Sequence, residues 1–195
     1  MAKRAHPAPI RPRRSDAEQN HNRILRIAGE AIEQFGADAS LRDIARKAGI
    51  GMGTLYRHFP SREALLETLL RERLSKFAEE VRQARTFENS GEALGRCVRD
   101  YLRGVTVYKG VASSLIKTLK DSNSALHSSC SAVREELEAL LKMAQENGSI
   151  RADVTVADIF TFVNGLAWMF DQGTGSLERR SVLVQVFLDG LRKRE

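Results

Sequence analysis

The chain has 195 residues, 42% of them hydrophobic and 29% charged, with a net charge of +6 and two cysteines, Cys97 and Cys130. That apolar content is enough for a core. Two cysteines make no disulfide scaffold, and no apolar run reaches the ~18 residues of a membrane span, so a cytoplasmic protein is expected.

The excess charge is lopsided. Residues 1–62 hold twelve Lys/Arg against six Asp/Glu, whereas residues 63–195 hold nineteen of each. A basic module on a neutral body suits a protein that meets nucleic acid at one end.

Residues 1–15 combine Pro7, Pro9 and Pro12 with Lys3, Arg4, Arg11, Arg13 and Arg14. This composition predicts a disordered or polyproline-like basic arm, acting as a solubilising tail or as a clamp on DNA. It lacks the apolar stretch of a secretion signal. A first helix is expected over about 16–35, with Ile24, Ala28, Ala31 and Phe35 as its inner stripe and Gly36 as its stop.

Residues 40–59 are the most informative stretch. Ser40 can cap a short helix, and Asp43, three residues on, can reach back in a capping box. Leu41, Ile44, Ala45 and Ala48 follow at helical spacing. Gly49 then supplies the left-handed residue that ends the helix, and Ile50 packs inside the turn.

A second short helix starts near Gly51 or Met52. Leu55 and Phe59, four apart, share its inner side. Gly53, Thr54, Tyr56, Arg57 and His58 are left on the other sides, where hydroxyl and cationic donors suit DNA phosphates and base edges. Pro60 ends this helix, and Ser61 caps the next, with Glu63 placed favourably for the helix dipole. Two helices joined by a glycine turn, the second presenting such a face, form a helix-turn-helix.

The segment resembles the TetR family of transcriptional regulators. The resemblance rests on Leu41-Arg42-Asp43-Ile44-Ala45, Ala48-Gly49-Ile50, Gly53-Thr54-Leu55-Tyr56, His58-Phe59 and Ser61-Arg62-Glu63-Ala64-Leu65. Upstream, Ile24-Leu25, Ala28 and Phe35-Gly36 fit as well, so the match covers roughly residues 20–75. It implies a homodimer with a three-helix DNA-binding domain (residues 16–62) and an all-helical domain for effector binding and dimerisation (residues 63–195). By the same resemblance Ser40, Thr54, Tyr56 and His58 meet DNA, Arg62 reaches a phosphate, and Arg42 and Met52 approach base edges. Gly51 departs from the Ser or Thr common there, which removes a capping hydroxyl.

Beyond residue 62 the pattern is all-α, giving about nine helices for the chain. A long helix over about 62–85 carries Leu65, Leu66, Leu69, Leu70, Leu74, Phe77 and Val81, and is long enough to join both domains. Further helices are expected over about 91–108, 110–120, 123–147, 155–171 and 177–192, with Asn147-Gly148 ending one and Thr155 capping another. The connector from Ala144 to Asp153 resembles that of the SbtR-like subclass.

The last two helices are apolar on more than one face, which demands burial on two sides. The subunit core can take one side and a second copy the other. Phe162, Gly165, Met169, Val184, Phe187 and Leu188 are the expected dimer residues, and a two-fold dimer matches a palindromic operator.

The effector pocket is expected among Tyr101, Tyr108, Ser114, Lys117, His127, Cys130, Asn164 and Trp168, as a mostly apolar site with a few polar groups. His127 and Cys130 are too few for a metal site, and no cofactor is expected. No nucleophile elbow, phosphate-binding glycine loop or paired His/acid cluster points to an enzyme. The expected function is a repressor released from double-stranded DNA by a small molecule. An activator or an effector-independent regulator fits the same residues.

Overall fold

The computed structural model describes residues 14–108, 110–111, 115–171 and 177–193. The greater part of the basic arm and Ser114 lie outside the described residues. Nine α-helices follow in order among the described residues: α1 (Arg14–Phe35), α2 (Leu41–Lys47), α3 (Met52–His58), α4 (Arg62–Ala84), α5 (Ser90–Val107), α6 (Ile116–Lys120), α7 (Ala125–Glu146), α8 (Val156–Asp171) and α9 (Leu177–Leu191). No strand occurs among them, only an isolated bridge between Ile150 and Arg192.

The boundaries have local causes. Hydroxyl caps open three helices: Ser40 Oγ accepts from Asp43 N, Ser61 Oγ from Ala64 N, and Ser124 Oγ from His127 N. Asn89 Oδ1 does the same for α5 at Glu92 N. A full capping box opens α8: Thr155 Oγ1 accepts from Asp158 N, and Asp158 Oδ2 accepts from Thr155 N at 2.9 Å. At α2 the expected box is dominated by another contact, since Asp43 Oδ1 accepts from Arg46 Nη2 at 2.9 Å.

Two buried clusters form. One gathers Ile24, Ala28 and Ile32 of α1, Ile44 of α2, Leu55 of α3, Phe59, and Leu65, Leu66 and Leu69 of α4. We call this part the head. The other gathers Phe77 and Val81 of α4 with the inner faces of α5, α7, α8 and α9, and forms the body. At 1.5 Å per residue, the 23 residues of α4 run about 34 Å from one cluster to the other, with Leu74 touching both.

The head cluster contains three side chains from much later in the chain. Val111, Leu115 and Leu126 are buried in it. The segment around α6 therefore returns from the body and closes over the head beside α4.

One stripe differs from expectation. Phe35 is exposed, and Ile32 takes its place inside. At Phe35 the backbone has left helical geometry (φ −121°, ψ 0°) and a 3-10 turn, Gly36–Asp38, follows. The side chain swings off the stripe as a result. The C-terminus is stitched back onto the connector after α7: Arg151 N donates to Leu191 O, and Gln145 Nε2 donates to the carbonyls of Arg151 and Val154. No helix among the described residues is long and apolar enough to cross a membrane.

Candidate nucleic-acid interface and ligand cavity

The α2–α3 pair is held by its buried side. Ile44, Ala45, Ala48, Leu55 and Phe59 are all almost inaccessible. Gly49 has φ +66°, a conformation open to glycine at little cost, and it turns the chain so that Ile50 N bonds to Ala45 O. The expected break at this glycine is present. Gly51 sits at the cap of α3 without a side-chain bond.

The outer side of α3 is polar, and Tyr56 stands 46% exposed on it. Thr54 and His58 are partly exposed, and Gly53, Arg57 and Arg42 are exposed. A Cβ added at Gly51 or Gly53 would meet nothing within 4 Å, so the start of α3 is sterically open. Arg57 lies back along its own helix, donating from Nη2 to Thr54 Oγ1 at 3.0 Å and from Nε to Gly53 O at 3.2 Å. That pairing orients both side chains before any partner arrives.

His58 is held below the usual histidine range, chiefly by burial and then by His21 and Arg57. Its ring lies 6.1 Å from that of His21, which stacks on Phe59 at 4.8 Å. His21 comes from α1, so its place beside His58 was not legible from the local sequence.

Arg62 is engaged within the protein. Its Nη1 donates to Ala37 O at 2.8 Å and to Ala39 O at 2.7 Å. It ties the connection between α1 and α2 to the start of α4.

A cavity of about 300 Å³ lies in the body between α4, α5, α7 and α8. Tyr101, Tyr108, Cys130 and Asn164 line it together. Leu70, Leu74, Phe77 and Val105 make most of the remaining wall, with Arg73 and Asp100 as its charged groups. Those two were not legible in sequence, since nothing marks which charged residues on α4 and α5 turn inward.

Tyr101 is wedged between Phe77 and an edge-on Phe160. Its hydroxyl faces Asn164 Oδ1 at 3.5 Å, and burial pushes its pKa up to about 12. Burial likewise raises the Cys130 thiol.

Three expected wall residues lie elsewhere. Lys117 is exposed on α6, and His127 sits in the first turn of α7. Trp168 is 68% exposed on the outside of α8. It lies four residues along α8 from Asn164, about one turn further on the same side of the helix, and is not part of the cavity lining.

Large apolar side chains are exposed on α8 and α9. Phe162 stacks on Phe187 with centroids 4.0 Å apart, and Val182 and Val186 stand exposed nearby in sequence on α9. Gly165 is open on the same helix as Phe162, and Met169 is partly buried. Val184 and Leu188, expected on this face, are buried in the subunit core. The register explains it: 184, 188 and 191 form the inner stripe of α9, and 182 and 186 the outer one.

A glycine-turned helix pair with an exposed polar second helix, on a body with a small apolar cavity, defines a helix-turn-helix transcriptional regulator. The sequence profile of the bacterial regulatory proteins of the TetR family matches residues 24–69. That of the SbtR-like transcriptional regulator C-terminal domain matches residues 89–193. The chain belongs to the TetR family.

A TetR regulator from Streptomyces coelicolor is 30% identical and superposes with a TM-score of 0.69, over 90% of this chain and 99% of that one. A TetR regulatory protein from Mycobacterium vanbaalenii is 33% identical, with a TM-score of 0.67 over 92% and 98%. An HTH-type transcriptional regulator of Staphylococcus aureus is 27% identical over 189 residues, 93% of this chain and 100% of that one. The protein is thus a DNA-binding transcriptional regulator and not an enzyme.

Proposed function

We propose that the chain is a homodimeric repressor that leaves a palindromic operator when a small molecule fills the cavity around Tyr101. The exposed Tyr56, on a helix whose other side is locked into the head, is the observation that carries the DNA-binding surface. In this reading Ser40, Thr54, Tyr56 and His58 contact phosphates, while Arg42, Met52, Gly53 and Arg57 lie close to base edges. Gly51 lets the backbone approach. Arg62 acts one step back by fixing the turn that presents Ser40.

The organisation that supports this reading is a basic arm (1–15), a DNA-binding head (16–62) and an effector and dimer body (63–195). Phe162, Gly165, Trp168, Met169, Val182, Val186 and Phe187 supply the dimer surface, with Val184 and Leu188 beneath it. The cavity favours a compact, largely apolar effector carrying one hydrogen-bonding group for Tyr101 or Asn164. Its volume of about 300 Å³ is at the small end for ligand pockets.

The test has two stages. DNA bound by the full-length protein is selected from a random pool, and metabolites are then screened for release of the selected site. Enrichment of an inverted repeat, bound in preference to scrambled DNA, is expected. Equal affinity for all sequences overturns the operator reading. No release by any small apolar compound, including compounds shown to bind at Tyr101, overturns the effector reading.

A further inference from the structure

The side of α5 that faces away from the Tyr101 cavity carries a second feature. Two adjoining clefts, of about 690 and 420 Å³, run between α5 and α9. They share Arg99 and Gln185 and so form one groove. Arg96, Arg99 and Arg103 line it from α5, at the three- and four-residue spacing that puts them on one helix face. Arg180 of α9 and Arg192, just past the end of α9, complete the set. Among the described residues Glu92 is the one carboxylate in either lining, and the floor is apolar, with Leu102, Val184 and Leu188.

The way these guanidinium groups are held is informative. Arg99 Nη2 donates to the Gln185 amide oxygen at 3.0 Å. Arg96 sits over the Phe87 ring at 4.6 Å. Arg180 lies over the Phe170 ring at 4.8 Å, donates to Phe170 O, and has a buried Nε without a hydrogen-bond partner among the described residues. All three are fixed in place by neutral groups, so their orientation is set while their charge is not cancelled. Among the described residues Arg103 pairs with the half-exposed Asp100 at 3.4 Å and Arg192 with Asp189 at 3.8 Å, and such solvent-accessible pairs are weak.

Like charges that face each other across an apolar-floored groove focus a positive potential. Among the described residues the cations that line it are all arginines. Arginine presents a planar fork that matches carboxylate and phosphoryl oxygens two at a time. A groove this long, with guanidinium groups at both ends and in the middle, exceeds what a single oxyanion fills.

We propose that the α5–α9 groove binds a small polyanion, a molecule carrying two or more carboxylate or phosphoryl groups. Arg99 and Arg180 grip it, and Arg96, Arg103 and Arg192 steer it. The site is separate from the effector cavity, although α5 forms a wall of both.

The full-length protein is titrated calorimetrically with citrate, pyrophosphate and inorganic phosphate at matched ionic strength, with sodium chloride as the blank. Saturable one-site binding of citrate or pyrophosphate, with Kd below about 1 mM, is expected. Citrate and pyrophosphate distinguish a carboxylate from a phosphoryl ligand. Arg99→Gln and Arg180→Gln should each weaken binding about tenfold or more, as loss of a charge-assisted bond does. Arg96→Gln should weaken it less, and thermal unfolding of each variant guards against a fold defect. Heat no greater than the chloride blank overturns the proposal, as does binding that survives both Arg99→Gln and Arg180→Gln. Operator affinity, measured in parallel, reports on the DNA reading independently.

Discussion

Replacing Arg62 by alanine separates two roles that one arginine can play. In the structure its Nη1 donates to two backbone carbonyls, at 2.8 and 2.7 Å, in a partly buried setting. A hydrogen bond to a charged group contributes about 1.5–3 kcal/mol net. The two share one nitrogen and are partly solvated, so their joint loss should cost about 2–3 kcal/mol. For a chain of this size each kcal/mol moves the melting temperature by about 2–4 °C, which gives a fall of about 4–12 °C. Calorimetry or urea titration without DNA reads this directly. The operator affinity should fall as well, because the turn before Ser40 loosens, while the dependence on salt changes little. If stability is unchanged and the salt slope drops by about 0.9, as expected for one lost phosphate contact, Arg62 is a DNA ligand and the positioning argument fails.

Four further outcomes follow from the geometry. Gly49→Ala forces a side chain into φ +66° with no steric contact to blame, and should cost about 1–2 kcal/mol in urea unfolding. Gly51→Ser, at an ordinary φ of −76°, should instead gain a few tenths of a kcal/mol. Val186→Glu, at a position 63% exposed, should give a folded monomer in sedimentation, whereas Val184→Glu should destabilise the subunit itself. A Val186→Glu dimer at micromolar concentration places the interface elsewhere.

His58 has a pKa below its ordinary value of 6.5, from burial first. The unfolded chain therefore binds more protons there, and stability should fall as the pH drops below about 6.5. His58→Gln should flatten that part of the stability profile, and an unflattened profile assigns the acid sensitivity to other groups.

The helix-turn-helix was legible because its signals are local. A capping serine, a left-handed glycine and an apolar pair four apart each specify geometry within a few residues. The cavity was half legible. Tyr101, Tyr108, Cys130 and Asn164 converge as expected, but Arg73 and Asp100 enter through the relative rotation of α4 and α5. The outer face of α9 failed for a related reason. Its run of apolar residues from Val182 to Leu188 contains two stripes, and composition alone does not say which turns inward. The carbonyl bonds of Arg62 and the approach of His21 to His58 were not legible because their partners lie far off in sequence.

The contribution of Val111, Leu115 and Leu126 to the head cluster bears on how the protein can be taken apart. A fragment ending with α4 would be stripped of three greasy plugs and left with a wet socket, so it should be a poor autonomous folder. In the intact chain the same plugs give the DNA-reading end a second tether besides the long helix. Any tilt of that end must drag or unseat them, which makes this contact a brake on its motion.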